Sequence, residues 1–164
     1  METRLDYGKV APHGIQAMYK LHKYAEDSGL EHSLLELVKT RASQINGCAY
    51  CIDMHTKDAR ALGESEQRLY LLSAWRESPF YTERERAALA WTEVVTRISE
   101  SQASDEDYAT ALAQFTELDL INLTLAIIAI NGWNRLAISF RAMPGNYEPR
   151  QRSIGSSQSQ GEGR

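Results

Sequence analysis

The chain has 164 residues, a net charge of −4 and 43% hydrophobic residues, enough for one domain whose core needs no disulfide or metal staple. An isoelectric point of about 5.6 and the lack of a Lys/Arg cluster exclude a phosphate-binding surface, so no nucleic-acid partner is expected. The N-terminal METRLDYGKVAPHG has no basic start leading into an apolar run, and the most apolar stretch, LTLAIIAI at 123–130, is too short to span a bilayer. Neither a signal peptide nor a membrane is expected, and the chain is assigned to the cytoplasm.

Strand signals are absent, whereas helix signals recur. Pro12 predicts the start of a first helix running to Ser28, stopped by Gly29. A second helix fits residues 31–45. Asn46 is placed as the N-cap of a third, which ends at Gly63 and carries both cysteines in its first turns. Ser65 caps a short fourth helix through Leu72. Thr82, with Glu85 three residues on, has the capping-box pattern and opens a fifth to about Ile98. Ser104 begins a sixth, to about Phe115, and Thr116 with Asp119 caps a seventh that ends near Pro144. The expectation is an all-α fold of about seven helices, with the cysteine pair at the N-terminus of a central one. The helical domain covers residues 1–145. Residues 146–164, rich in Ser, Gln and Gly, carry too little apolar surface to order themselves and are read as a flexible tail.

The seventh helix, over 117–142, is apolar almost all the way round. Leu118, Ile121, Leu125 and Ile128 form one stripe, and Leu123, Ile127, Ile130 and Ala137 lie opposite. Such a helix needs cover on several sides, from the domain core or from another subunit.

The chemistry concentrates in NGCAYCIDMH, residues 46–55, which holds the only two cysteines. At about 100° per residue, Cys51 lies roughly 60° and His55 roughly 20° from Cys48 on a helix. All three side chains therefore share one narrow face, with His55 the (i, i+4) neighbour of Cys51. A helix N-terminus and a nearby imidazole both favour thiolate. Three readings remain open on the residues alone. A structural zinc needs four ligands, and outside the motif the chain offers only His13, His22 and His32 as further histidines. Two small buried hydrophobes on a helix face would satisfy the spacing as well. Dithiol redox chemistry uses all three groups, and a lone cysteine pair in a reducing compartment favours it.

The segment ELVKTRASQINGCAYCIDMHTKDA, residues 36–59, closely resembles the core of the alkylhydroperoxidase D-like (AhpD-like) proteins of the carboxymuconolactone decarboxylase superfamily. The family pattern of Glu, Arg and Asn-x-Cys-x-x-Cys-x-x-x-His falls on Glu36, Arg41, Asn46, Cys48, Cys51 and His55. Weaker similarity continues through ERERAALAWTEVV and IAINGWNRLAI. The resemblance implies an all-α fold whose Cys48–Cys51 pair reduces peroxides and cycles through an internal disulfide, with Glu36 and His55 as a proton relay. It implies no bound cofactor, an external dithiol or protein reductant, and a homo-oligomer, a trimer or a hexamer built from dimers. The best-known peroxidase members carry a second His where this chain has Tyr50, whose phenol is a poor base at neutral pH. The superfamily's decarboxylases lack the cysteine pair.

Two charged residues sit oddly on the predicted second helix. Leu34, Val38, Ala42 and Ile45 make its apolar face, and Glu36 points nearly opposite, so its relay role needs cover from the motif helix or a neighbouring subunit. Sheltered there, Glu36 is expected to gain proton affinity. Arg41 projects onto the apolar face, where Glu85 or Glu93 would have to pair with it. Trp133 and Asn134, within NGWNR, are candidates to line the pocket. The reading is a thiol-dependent peroxidase or disulfide reductase, with Cys51 activated by His55 and Cys48 resolving it. The alternatives are a non-catalytic dithiol sensor or a cofactorless decarboxylase using His55 and Glu36.

Overall fold

The computed structural model describes residues 2–149. Among these are nine α-helices: α1 (Tyr7–Val10), α2 (Pro12–Glu26), α3 (His32–Asn46), α4 (Ala49–Ala61), α5 (Glu66–Leu71), α6 (Glu83–Thr96), α7 (Ile98–Ser101), α8 (Asp105–Leu112) and α9 (Glu117–Phe140). A 3-10 turn over Leu72–Ala74 extends α5. The all-α expectation holds, with seven of the nine helices where the sequence puts them. The other two, α1 and α7, are four residues long, one turn each, too short to leave a periodic pattern.

Caps account for most boundaries. The Thr82 hydroxyl accepts the Glu85 N–H while the Glu85 carboxylate accepts the Thr82 N–H, closing the predicted capping box at the start of α6. Ser65, Ser104 and Thr116 cap α5, α8 and α9 as expected. The last helix stops at Phe140, short of Pro144, because Arg141 adopts a left-handed conformation and closes the C-terminus.

The central helix is α3, not the motif-bearing α4: it packs against α4, α6 and α9. Its residues Leu34, Leu35, Glu36, Leu37, Val38, Lys39, Thr40, Ala42 and Ser43 are all buried, so it has no solvent face along most of its length. Each fully buried Leu contributes about 1.5–3 kcal/mol, which is what carries two charged residues inside with it. One core cluster joins α2, α3, α6, α8 and α9 through Leu35, Val38, Trp91, Phe115, Leu123 and Ile127. A second joins α3, α4, α5 and α6 around Leu37, Leu72, Trp75 and Leu89. A small third one, Ala42, Cys48, Cys51, Ile130 and Ala137, contains the cysteine pair.

At 24 residues α9 meets the length and composition of a bilayer span as a whole, which the shorter apolar run alone does not. Here it packs against α2, α3 and α6. At Gly132 a Cβ would come within 2.6 Å of the terminal methyl of Met18 on α2, so a larger residue there would require that flexible side chain to move. The stripe of Leu118, Ile121 and Ile128 faces outward, 64%, 59% and 47% exposed. Past α9 the chain folds back along α4: Lys57 Nζ donates to the carbonyls of Gly145 (3.2 Å) and Tyr147 (3.1 Å), and domain contacts run past residue 145. Most of the expected tail, 150–164, lies outside the described residues.

Candidate active site

The sequence Asn46-Gly47-Cys48 builds the site from a chain reversal. Asn46 ends α3, and Gly47 caps it in the left-handed region at φ 69°, a conformation that penalises any residue with a Cβ. The Cys48 N–H then donates to the Ser43 carbonyl at 2.9 Å. This turn shifts the start of α4 two residues beyond the expected cap. Cys48, not Asn46, is the N-cap, and its sulfur accepts the Cys51 N–H at 3.4 Å. The two sulfurs are 2.6 Å apart, reduced, and each residue is 1% exposed. A disulfide at about 2.05 Å requires them to approach by little more than half an ångström.

The two thiols are unequal. A hydrogen bond from the Cys51 thiol offsets the cost of burial at Cys48. Backbone N–H groups of Cys51 and Tyr50 and the Asn134 amide assist, and Cys48 is held down at about 7. The same hydrogen bond, burial and the adjacent Cys48 charge push the Cys51 thiol up. The negative charge of the reduced pair therefore resides on Cys48, contrary to the ordering expected from the (i, i+4) spacing. The bond from the Cys51 thiol decides the order, aided by N–H groups of the helix start that point at the cap residue; the imidazole is not among the groups acting on either sulfur.

The amide of Asn46 has another use. Its Nδ2 donates to Asn131 Oδ1 and Asn134 Oδ1, both at 2.8 Å. Asn134 Nδ2 donates to Ser43 Oγ at 3.0 Å, and Asn131 Nδ2 to Thr96 Oγ1 at 3.1 Å. This amide ladder locks the turn between α3 and α4 to α9, so that Asn134, fully buried, reaches both sulfurs. Trp133 and Tyr50 pack against the cysteine cluster, and the Tyr19 ring lies on Trp133 with centroids 4.9 Å apart. Burial and the nearby Tyr50 and cysteine charges raise the phenol of Tyr7 on α1, which places that residue beside the same group.

Glu36 and His55 meet inside the domain. His55 Nδ1 bonds Glu36 Oε2 at 2.8 Å, with His55 2% and Glu36 6% exposed. The shelter Glu36 needs comes from this chain's own α4 and α2, so no second subunit is required to cover it. Lys39 Nζ, also buried, donates to Glu36 Oε1 at 2.9 Å and to Glu26 of α2. Burial pushes the Glu36 carboxyl up, but the bonds and charges of His55 and Lys39 prevail and hold it at about 2. The expected gain in proton affinity is thereby reversed, because the buried ammonium of Lys39 pairs with the carboxylate. The run LLELVK already carried part of the signal, since Glu36 and Lys39 lie one turn apart between apolar residues and can pair with each other. An ionised Glu36 accepting from Nδ1 fixes the tautomer in which Nε2 is the basic nitrogen. Nε2 is buried and has no hydrogen-bond partner.

Asp58, one turn after His55 on α4, completes the cluster: Glu36, His55 and Asp58 each place a ligand atom within 4.8 Å of the others. Three such groups are a conceivable cation site. Lys39 already supplies the positive charge at Glu36, so the arrangement suits a proton better than a metal. Arg41 is not part of the site. It pairs with Glu93 of α6 at 2.7 Å, the second of the two expected partners, while Glu85 pairs with Arg68. Glu93 also accepts from Trp75 Nε1 at 2.9 Å and from Arg76 at 2.5 Å.

Comparison with known proteins agrees with the all-helical fold. The sequence profile of the carboxymuconolactone decarboxylase family matches residues 12–94. An uncharacterized protein of Bacillus subtilis, YdfG, is 44% identical over 139 residues, 85% of this chain and 95% of its own length. The crystal structure of an Agrobacterium tumefaciens protein of unknown function, named there as a candidate antioxidant defence protein AhpD, superposes with a TM-score of 0.86 at 47% identity. It covers 89% of this chain and all of that one. The debrominase Bmp8, solved with 2,3,4-tribromopyrrole in a Cys-to-Ala variant, shares the fold at a TM-score of 0.75 and 19% identity, over 84% of this chain and 74% of its own. The turn, the dithiol and the buried Glu–His pair thus sit on a shared helical scaffold, and the chain belongs to the carboxymuconolactone decarboxylase family as an AhpD-like member.

Proposed function

We propose that the chain is a thiol-dependent peroxidase, acting on a peroxide and regenerated by an external thiol or dithiol, with no bound cofactor. The observation that carries the reading is the pair of reduced sulfurs 2.6 Å apart at the start of α4, one of them titrating at about 7. The Cys48 thiolate attacks one peroxide oxygen and breaks the O–O bond, giving a sulfenic acid and an alkoxide. The alkoxide takes up the proton that Cys48 gave to the relay, with His55 Nε2 as the carrier and Glu36 holding the ring. The Cys51 thiol then attacks the sulfenic sulfur, forming the disulfide and releasing water. A reductant of dithiol class restores both thiols by exchange and leaves as its own disulfide. A reducing compartment, the cytoplasm, suits this cycle.

Steady-state peroxide consumption with dithiothreitol, run in parallel on hydrogen peroxide and an organic hydroperoxide, tests the reading. Turnover that disappears in both Cys48→Ser and Cys51→Ser is expected, with a trapped sulfenic acid on Cys48 in Cys51→Ser. A single stoichiometric oxidation without turnover would make the dithiol a sensor instead. We propose further that the outward stripe Leu118, Ile121 and Ile128 of α9 is covered by a second copy of the chain in a closed assembly, a trimer or a six-chain hexamer built from dimers. Light scattering of wild type and Ile121→Glu decides this. A wild-type particle near 18.5 kDa rejects it.

A further inference from the structure

The Glu36–His55 pair is enclosed, yet one side of it is reached by a segment that contributes nothing to the core. Residues 145–147 are tied along α4 by four hydrogen bonds. The Gly145 N–H donates to Asp53 Oδ2 at 2.9 Å, and Lys57 Nζ donates to the carbonyls of Gly145 and Tyr147. The fourth involves the side chain of Tyr147: its hydroxyl donates to Asp58 Oδ1 at 2.7 Å. Asp58 is the carboxylate that lies within 4.8 Å of both Glu36 and His55. We propose that Asp58, held by the Tyr147 hydroxyl, is a third member of the buried relay and a positioning residue for His55. This rests on the peroxidase reading for its activity arm and on geometry alone for the rest.

The physical argument is the separation of two carboxylates. Glu36, paired to Lys39 and His55, stays ionised. Asp58 is pushed up by burial; the Tyr147 bond opposes this and the Glu36 charge reinforces it, with His55 and Lys39 opposing more weakly. Those four groups, Tyr147, Glu36, His55 and Lys39, are the charged and titratable neighbours that set its state. Two acids whose surroundings push their affinities apart can serve one ring differently: Glu36 stays charged and orients His55, while Asp58 acts on it through a charge that responds to its own surroundings. A carboxylate at Asp58 favours the imidazolium form of His55, and the Tyr147 hydroxyl, by bonding the ionised carboxyl, keeps that carboxylate available.

The test uses the full chain with Asp58→Asn, Tyr147→Phe and the double variant. Two quantities are read: the ring-nitrogen NMR titration of His55 between pH 4 and 10, and kcat and KM for a peroxide at pH 7. Asp58→Asn is expected to change the His55 titration relative to wild type, since it removes a neighbouring opposite charge. Its kcat is expected to fall about tenfold with KM unchanged, since Asp58 does not touch the peroxide. Tyr147→Phe moves both quantities the same way by less, and adds nothing once Asp58 is Asn. An unchanged His55 titration in Asp58→Asn overturns the proposal, as do effects of the two substitutions that simply add. If Asp58→Asn does not fold, an unmoved titration in Tyr147→Phe alone is sufficient to reject it. A wild type that consumes no peroxide removes the peroxidase reading but leaves the titration as the test of the relay.

Discussion

Two charged networks hang from the same helix, α3, and they differ in one respect. On the α6 side, Arg41 pairs with Glu93, whose two oxygens also take Trp75 Nε1 and Arg76. On the α4 side, Glu36 takes Lys39 and His55, and the network ends on a buried nitrogen, His55 Nε2, with no partner. Both remove charges from water at a cost that their pairing offsets. The first is closed and has no capacity left for chemistry. The second is one bond short of closed, and that open position is where a proton can come and go. Buried charge by itself therefore distinguishes nothing, while an unsatisfied atom at the end of a buried chain does.

Breaking each network separates the roles. Glu36→Gln should have the largest effect. Turnover is expected to fall about a hundredfold as His55 loses its orienting anion, and stability by about 3 kcal/mol because Lys39 and His55 lose a charged partner in the interior. Thermal melting and steady-state assays measure the two. The carboxyl of Glu36 is held at about 2 against an ordinary value of 4.5. It therefore contributes stability that is fully present above pH 4.5 and is lost as pH falls through 2, about 3 kcal/mol at most. In Glu36→Gln, urea unfolding should lose this share of its acid dependence.

Glu93→Gln sharpens the contrast. A similar loss of about 3 kcal/mol is expected, read by denaturant unfolding, with kcat/KM within twofold of wild type. A large loss of turnover in a folded Glu93→Gln protein would show that the closed network also serves the chemistry. The pH dependence of the thiols comes next. Iodoacetamide labelling of the reduced protein should rise with pH to half its maximum near 7, the value set at Cys48, and should be confined to Cys48 by mass spectrometry. Because the Cys48 thiol is held below its ordinary 9.0, the reduced protein should gain stability between pH 7 and 9. The smallest effect is expected from Tyr50→His, which restores the base found in the best-known peroxidases of the family. A rise in turnover of about threefold would show that the phenol limits proton transfer, and no change would show that Cys48 at the cap makes a second base redundant.

Much of this was legible before any coordinates. Local chemistry fixes helix caps, and Thr82, Ser104 and Thr116 are where such residues open helices. The Cys-x-x-Cys-x-x-x-His spacing puts its side chains on one face for the same reason. What failed depended on neighbours distant in sequence. Asn46 has the chemistry of an N-cap, but its amide is held by Asn131 and Asn134 of α9, some 85 residues away, and Gly47 moves the cap to a sulfur. Glu36 reads as solvated on an isolated helix, whereas α2 and α4 bury it beside Lys39. Asp58 and Tyr147, 89 residues apart, share a hydrogen bond that no periodicity announces.

By itself the sequence determined the class of fold, most of the helix starts and the grouping of the two cysteines with His55, because each depends on backbone capping or on spacing along one helix. Only the tertiary structure decided which sulfur carries the charge, that Glu36 is ionised, and that Asp58 and Tyr147 meet beside His55. Those are outcomes of desolvation and of charges brought within a few ångströms, and a proton's position responds to that local field rather than to order along the chain.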